Sequence, residues 1–124
     1  MAKLISSPSR IKAAGKLEKI IEEYVGAVNN GTRDVSIAIM TSPSGWDEPG
    51  QTPEFDEYSI VLKGTLRAEG RTSVIEAGRG QAIFAPKGEW IKYSTPGPEG
   101  AHYVAICTPA FTPSTAHRDE QSNY

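Results

Sequence analysis

The chain has 124 residues, with 13 basic and 15 acidic side chains and a formal net charge of −2. That is one domain's length, enough to bury a core without disulfides or a structural metal, and the single cysteine, Cys107, excludes an internal disulfide and fits a reducing cytosolic setting. No basic stripe crosses the sequence, so no nucleic-acid partner is expected. No apolar run approaches the roughly 20 residues of a spanning helix, so no membrane partner is expected either.

Residues 1–34 read as an N-terminal arm. Its first residues, M-A-K-L-I-S-S-P, are too short and too polar for a secretory signal. Between Ser9 and Val28, the residues Leu17, Ile20, Ile21 and Tyr24 recur at three- and four-residue spacing with charged residues between them, which predicts a helix. The pairs Ile20-Ile21 and Tyr24-Val25 also suit a strand, so the arm is expected as helical or extended. Asn29-Asn30-Gly31 is a turn signal.

From Val35 to about residue 110 the pattern is β. Val35–Thr41 reads as a strand, Ser42–Pro53 as a loop, and Glu57–Leu62 as a strand that continues past Gly64. Shorter strands follow at 72–76, 81–85 and 89–94, and a long one at 101–107. Turns at Glu69-Gly70-Arg71, Ala77–Gly80, Pro86-Lys87-Gly88 and Thr95–Gly100 separate them. Twelve glycines and nine prolines punctuate the chain, and short strands at this spacing predict an antiparallel sandwich or barrel. Residues 111–124 turn polar and read as a tail.

Two stretches have fixed spacings. In the first, Gly45 is followed by five residues, Gln51-Thr52-Pro53, three residues, Glu57, six residues and Gly64. In the second, Gly80 is followed by five residues, Pro86-Lys87-Gly88, two residues, Ile91, three residues and Thr95. This skeleton resembles the two motifs of the cupin superfamily, small jelly-roll barrels, with fifteen residues between the motifs. The resemblance implies an all-β, cupin-type jelly-roll β-barrel with the N-terminal arm attached. In that family two histidines and the glutamate of the first motif and a histidine of the second hold a metal. Here those positions are Gln51, Pro53, Glu57 and Ile91. One carboxylate and one amide fall short of the three or more strong ligands a transition metal takes, so no cofactor and no standard metal site is expected. The segment from Val104 to Tyr124 is also similar to the end of ectoine synthase, whose tyrosine and histidine ligands fall near Ile83 and Ile91. The ethanolamine-utilisation cupins are a second similar group.

Glu57 is the candidate acid/base. Alternation places it on one face with Ser59 and Val61, and Tyr58, Ile60 and Leu62 on the other. A carboxylate pointing into an apolar barrel has a raised pKa, which suits proton transfer near neutral pH. The competing reading is a structural carboxylate bonded to the backbone or to an arginine. His102, on a face with Val104 and Ile106, is its candidate catalytic partner, against the alternative of a hydrogen-bonded core histidine. Gln51, Trp46, Tyr93, Ile83 and Ile91 are the candidate substrate-binding residues, each with core packing or local bonding as the alternative. Glu54 and Asp56 read as a solvated strand start. Trp90 is expected on the face opposite Ile91, Cys107 as a buried inert thiol, and His117 in solvent or at a dimer contact.

These readings predict a cupin-fold protein that binds a small polar metabolite in its barrel, with a lyase- or isomerase-type reaction using Glu57 as its catalytic form. The alternatives are a non-catalytic ligand-binding or accessory cupin, and a metal-dependent cupin with the unconventional ligands Gln51, Glu57 and His102. A homodimer is expected, because both faces of the Glu57–Leu62 strand have apolar side chains.

Overall fold

The computed structural model describes residues 1–119. Ten strands and a single-turn helix follow in the order β1 (Ser9–Ile11), β2 (Ile20–Val25), β3 (Ser36–Ser42), β4 (Trp46–Asp47), β5 (Asp56–Gly64), β6 (Leu66–Glu69), β7 (Val74–Ala77), β8 (Ala82–Ala85), β9 (Lys92–Thr95), β10 (Ala101–Thr108) and α1 (Pro113–Ala116). They form two antiparallel sheets, β1-β2-β3-β10-β5-β8 and β4-β9-β6-β7, packed face to face as an all-β jelly roll of the cupin type.

The period-two pattern governs the long strands. Along β5, Glu57, Ser59 and Val61 are buried, while Tyr58, Ile60 and Leu62 face out. Along β10, Ala101, Tyr103, Ala105 and Cys107 point inward. The inner faces meet in a core that includes Trp46, Val61, Leu66, Ile83, Tyr93 and Tyr103. The outer face of the six-stranded sheet is also apolar. Ile106 stands opposite Ile37 on one side and Tyr58 on the other, and Val104 opposite Ile39 and Ile60. Of these, Tyr58 and Ile60 belong to the Glu57–Leu62 strand on which the homodimer expectation rests.

The helix expected between Ser9 and Val28 is absent. That segment supplies two strands, with β2 pairing along β3 from Ile20↔Thr41 to Val25↔Ile37. Lys19, Ile21 and Glu23 then share one face, and their burial favours sheet over the charged helical surface that spacing alone suggested. The tail is not a free arm where it is described. Glu54 and Thr52 donate backbone N–H groups to Thr115 and His117 carbonyls, and Asp119 donates to Gly50. Residues 120–124 of that expected tail lie outside the described residues.

At the end of β5, Gly64 adopts φ +77°, and a Cβ there would stand 2.1 Å from the Gly100 carbonyl oxygen. Both the left-handed backbone and the close approach demand glycine. Gly64→Ala is expected to cost at least about 2 kcal/mol. Urea unfolding of the variant checks this, and an unchanged midpoint would show that the turn tolerates a side chain.

Candidate functional site: a buried charge cluster inside the barrel

Besides Glu23, whose carboxylate accepts from the Val28 and Asn29 N–H groups, four charged side chains meet in the barrel interior from four different parts of the chain. Lys19 precedes β2, Glu48 follows β4, Glu57 lies on β5 and Arg118 follows α1. They line one cavity of about 60 Å³, together with Gln51, Tyr93 and Tyr103. A space of that size holds a few water molecules.

Each side chain is delivered by a local feature. The loop before β2 is strapped over β4: Lys16 N–H donates to the Asp47 carbonyl at 3.3 Å and Trp46 Nε1 to the Ala14 carbonyl at 3.1 Å. This brings the Lys19 ammonium 3.9 Å from the centroid of the Trp46 ring, where it donates to the Tyr103 hydroxyl at 2.6 Å. Gln51 is held by its backbone between two partners. It exchanges 2.9 Å hydrogen bonds with Ile91 on one side and forms an antiparallel bridge with Arg118 on the other. The tail therefore inserts Arg118 beside the first-motif loop. Alternation along β5 sends Glu57 inward.

The electrostatics follow from burial. Desolvation, and after it the charge on Glu48, raise the Glu57 pKa to about 7. Lys19, Arg118 and the Tyr93 hydroxyl act in the opposite direction. The Tyr93 hydroxyl is thus near Glu57, yet it is buried without a hydrogen bond of good geometry. Burial also raises the pKa of Glu48, against the pull of Lys19 and Arg118. Lys19 is lowered to about 8 by desolvation, with Glu48 and Glu57 opposing. Burial pushes Tyr93, Tyr103 and the Cys107 thiol well up, so all three are neutral. Among the described residues, Gln51 Oε1 and Arg118 Nε are likewise buried without partners. Glu57 and Lys19 are both poised to exchange protons near neutral pH.

The structure brings together three of the residues expected from sequence: Glu57, Gln51 and Tyr93. It places the others elsewhere. Trp46 is almost fully buried beneath Lys19. Ile83 belongs to the core and Ile91 packs against it, and both face a second, open groove. His102 lies on the outer face of β10, where its Nδ1 meets the Thr41 hydroxyl at 3.1 Å. It is no partner for Glu57, and the ligand set Gln51, Glu57 and His102 is not assembled. Among the described residues no group of three or more His, Cys, Asp or Glu side chains is placed to hold a metal ion. His117, expected in solvent or at a dimer contact, pairs with Glu54 at the surface. Sequence reasoning missed Lys19, Glu48, Tyr103 and Arg118. The signal for Lys19 was the alternation Lys19-Ile21-Glu23. For Arg118, on the tail, no sequence signal existed.

No family model matches the chain. Solved structures of similar fold include a single-site variant of oxalate decarboxylase from Bacillus subtilis, with a TM-score of 0.74 and 16% identity over 92% of this chain and 31% of that one. The EutQ protein of Clostridium difficile gives a TM-score of 0.57 and 22% identity over 76% of this chain and 71% of that one. At such identities the likeness is one of fold. A curated sequence relative is Endoribonuclease YbeY of Myxococcus xanthus, 44% identical over 103 residues. The match takes in 82% of this chain and 34% of the relative, so the chain spans about a third of that relative's length.

This relative corrects three expectations. The cupin resemblance holds for the fold, but the sequence kinship found is with an endoribonuclease rather than with ectoine synthase or the ethanolamine-utilisation cupins. The small-metabolite function, with its lyase, accessory and metal-dependent variants, gives way for the same reason. So does the exclusion of a nucleic-acid partner, and the small-molecule ligand is left without support. The exclusion had rested on the absence of a basic stripe in the sequence. No helix among the described residues is long and apolar enough to cross a membrane.

The cluster has a pH signature. Folding raises Glu57 from its ordinary 4.5 to about 7, so the folded chain binds more protons than the unfolded chain in that window. Its contribution to stability is full below pH 4.5 and is lost as pH rises through 7. Lys19 falls from 10.5 to about 8 on folding, so its contribution improves stability as pH rises from 8 to 10.5. Glu57→Gln is expected to melt at a higher temperature than the wild type at pH 8, with the gap closing by pH 5. Thermal scans across pH 5–8 measure it, and a variant whose destabilisation grows as pH rises would show that the carboxylate is structurally required in its charged form.

Proposed function

We propose that this chain works in RNA processing, as a cupin-fold unit that handles RNA alongside endoribonuclease chemistry. The observation that carries the reading is the 44% identity over 103 residues to a protein named as an endoribonuclease. The matched region is about a third of that relative, and we assign strand cleavage to the remaining two thirds. The barrel interior favours this division. Its cavity of about 60 Å³ takes a few waters, whereas a phosphodiester with its flanking sugars is far larger.

On this reading Glu57, Glu48, Lys19 and Arg118 act inside the fold, tying the N-terminal strands and the tail to the barrel. Gln51 and Tyr93 complete that interior. The working unit then includes the expected arm and tail as well as the barrel, since Lys19 comes from the first and Arg118 from the second. The role places the chain in the cytoplasm, in keeping with a single unpaired thiol.

Two measurements test the proposal together. A strain lacking the chain is expected to accumulate incompletely processed RNA, and Glu57→Gln is expected to restore processing as well as the wild type does. The purified chain alone is expected to leave labelled single-stranded RNA intact. An unchanged RNA profile in the deletion strain would remove the chain from RNA processing. Cleavage by the isolated chain that Glu57→Gln abolishes would move the chemistry into the barrel.

A further inference from the structure

The six-stranded sheet turns one face into the barrel and the other outward. Strand register makes the outward face a continuous apolar surface. Ile37, Ile106, Tyr58 and Phe84 stand side by side across β3, β10, β5 and β8. Ile39, Val104, Ile60 and Ala82 form the next row. Tyr58, Ile60, Leu62 and Phe84 each keep between 40% and 50% of their surface exposed. The Tyr58 and Phe84 rings stack with centroids 4.8 Å apart, so the most exposed aromatic pair is already ordered. Polar groups stand at the margin, and their charges have both signs. Arg10 is opposite Glu22 toward the β1 edge, His102 Nδ1 meets the Thr41 hydroxyl at one end, and Asp56 is opposite Thr108 at the other.

We propose that this face docks an endoribonuclease unit, of the kind assigned above to the other two thirds of the curated relative. The inference rests on the RNA-processing role and names the partner through which the chain enters it. A contiguous exposed apolar patch on a soluble fold marks an interaction site. An apolar centre with an ordered aromatic pair and a polar rim is the anatomy of a protein–protein contact. The two apolar rows contain no charged side chain, so a polyanion finds nothing to pair with there. The make-up of the relative selects which protein docks. The matched region is 34% of that chain, so a second unit about twice as long is tethered to the same kind of barrel. A tether holds two units at an effective concentration on the order of millimolar, and such neighbours rest on one another through faces of this type. The inner face of the sheet is filled by the core and the charge cluster, which leaves the outer face for the contact.

The test places a photo-crosslinking benzoylphenylalanine at Ile60 in the full chain, expressed in its own source organism. Irradiation is expected to give an adduct with an endoribonuclease, identified by mass spectrometry. Its yield is expected to fall roughly tenfold when Phe84→Lys is added, and Leu62→Lys serves the same purpose should the first variant not fold, which thermal melts decide. The same probe at Val74, 63% exposed on the other sheet, is expected to give no such adduct. An adduct with a second copy of the chain, an adduct with any other protein, or no adduct at all would overturn the assignment, and so would equal yields at Ile60 and Val74. The deletion strain separates this from the wider role. Misprocessed RNA in that strain without an endoribonuclease adduct would leave the role standing and remove only this docking face, whereas normal RNA would remove the role itself.

Discussion

The interior of this barrel is held by charges that have nowhere else to go. Lys19 and Arg118 face Glu48 and Glu57 in a space of about 60 Å³. Removing such groups from water costs several kcal/mol each, and mutual attraction offsets that cost only when the geometry is good. Here the geometry depends on segments far apart in sequence. Lys19 arrives only if the strap over β4 is in place, and Arg118 only if the tail pairs with Gln51. The cluster therefore makes the two ends of the chain conditions of the fold. A barrel lacking either end would bury unpaired carboxylates, so arm, barrel and tail stand or fall as one unit.

The incomplete satisfaction of the cluster matters as much as its pairing. Gln51 Oε1, the Tyr93 hydroxyl and Arg118 Nε are buried without partners among the described residues, and Glu57 sits at a pKa near neutrality because desolvation outweighs the two cations. A fully bonded network would have held Glu57 as a firm carboxylate. The interior instead trades stability for a group that changes charge in the physiological range, and this makes the fold's stability respond to pH.

Much of this was legible in the sequence, and the failures have specific causes. The turn skeleton from Gly45 to Gly64 and from Gly80 to Gly88 was readable because positive φ and close backbone contact leave few choices; Gly64 against Gly100 is the clearest case. The inward direction of Glu57 was readable from strict alternation along β5. β2 was misread because Ile-Ile-Glu-Glu-Tyr-Val satisfies both a helical and a strand period, and only the partner strand β3 decides between them. His102 was misplaced because Val104 and Ile106 were taken to mark the inner face. The inner face of β10 instead has Ala101, Tyr103, Ala105 and Cys107, mostly small residues that leave room for the charge cluster, and the more apolar side chains lie outside. Arg118 was invisible because nothing in a polar tail announces which residue will fold back into a core.

The isoleucines at 83 and 91 connect these points. At the places where the resemblance to metal-binding barrels would set ligands, they pack into the core on one side and floor the open groove on the other. Neither lines the inner cavity, where desolvation sets the chemistry of the charge cluster. Apolar residues at both places deny the interior the histidine ligands of a metal-binding barrel, and the charged groups gathered there instead include Glu57, Glu48, Lys19 and Arg118.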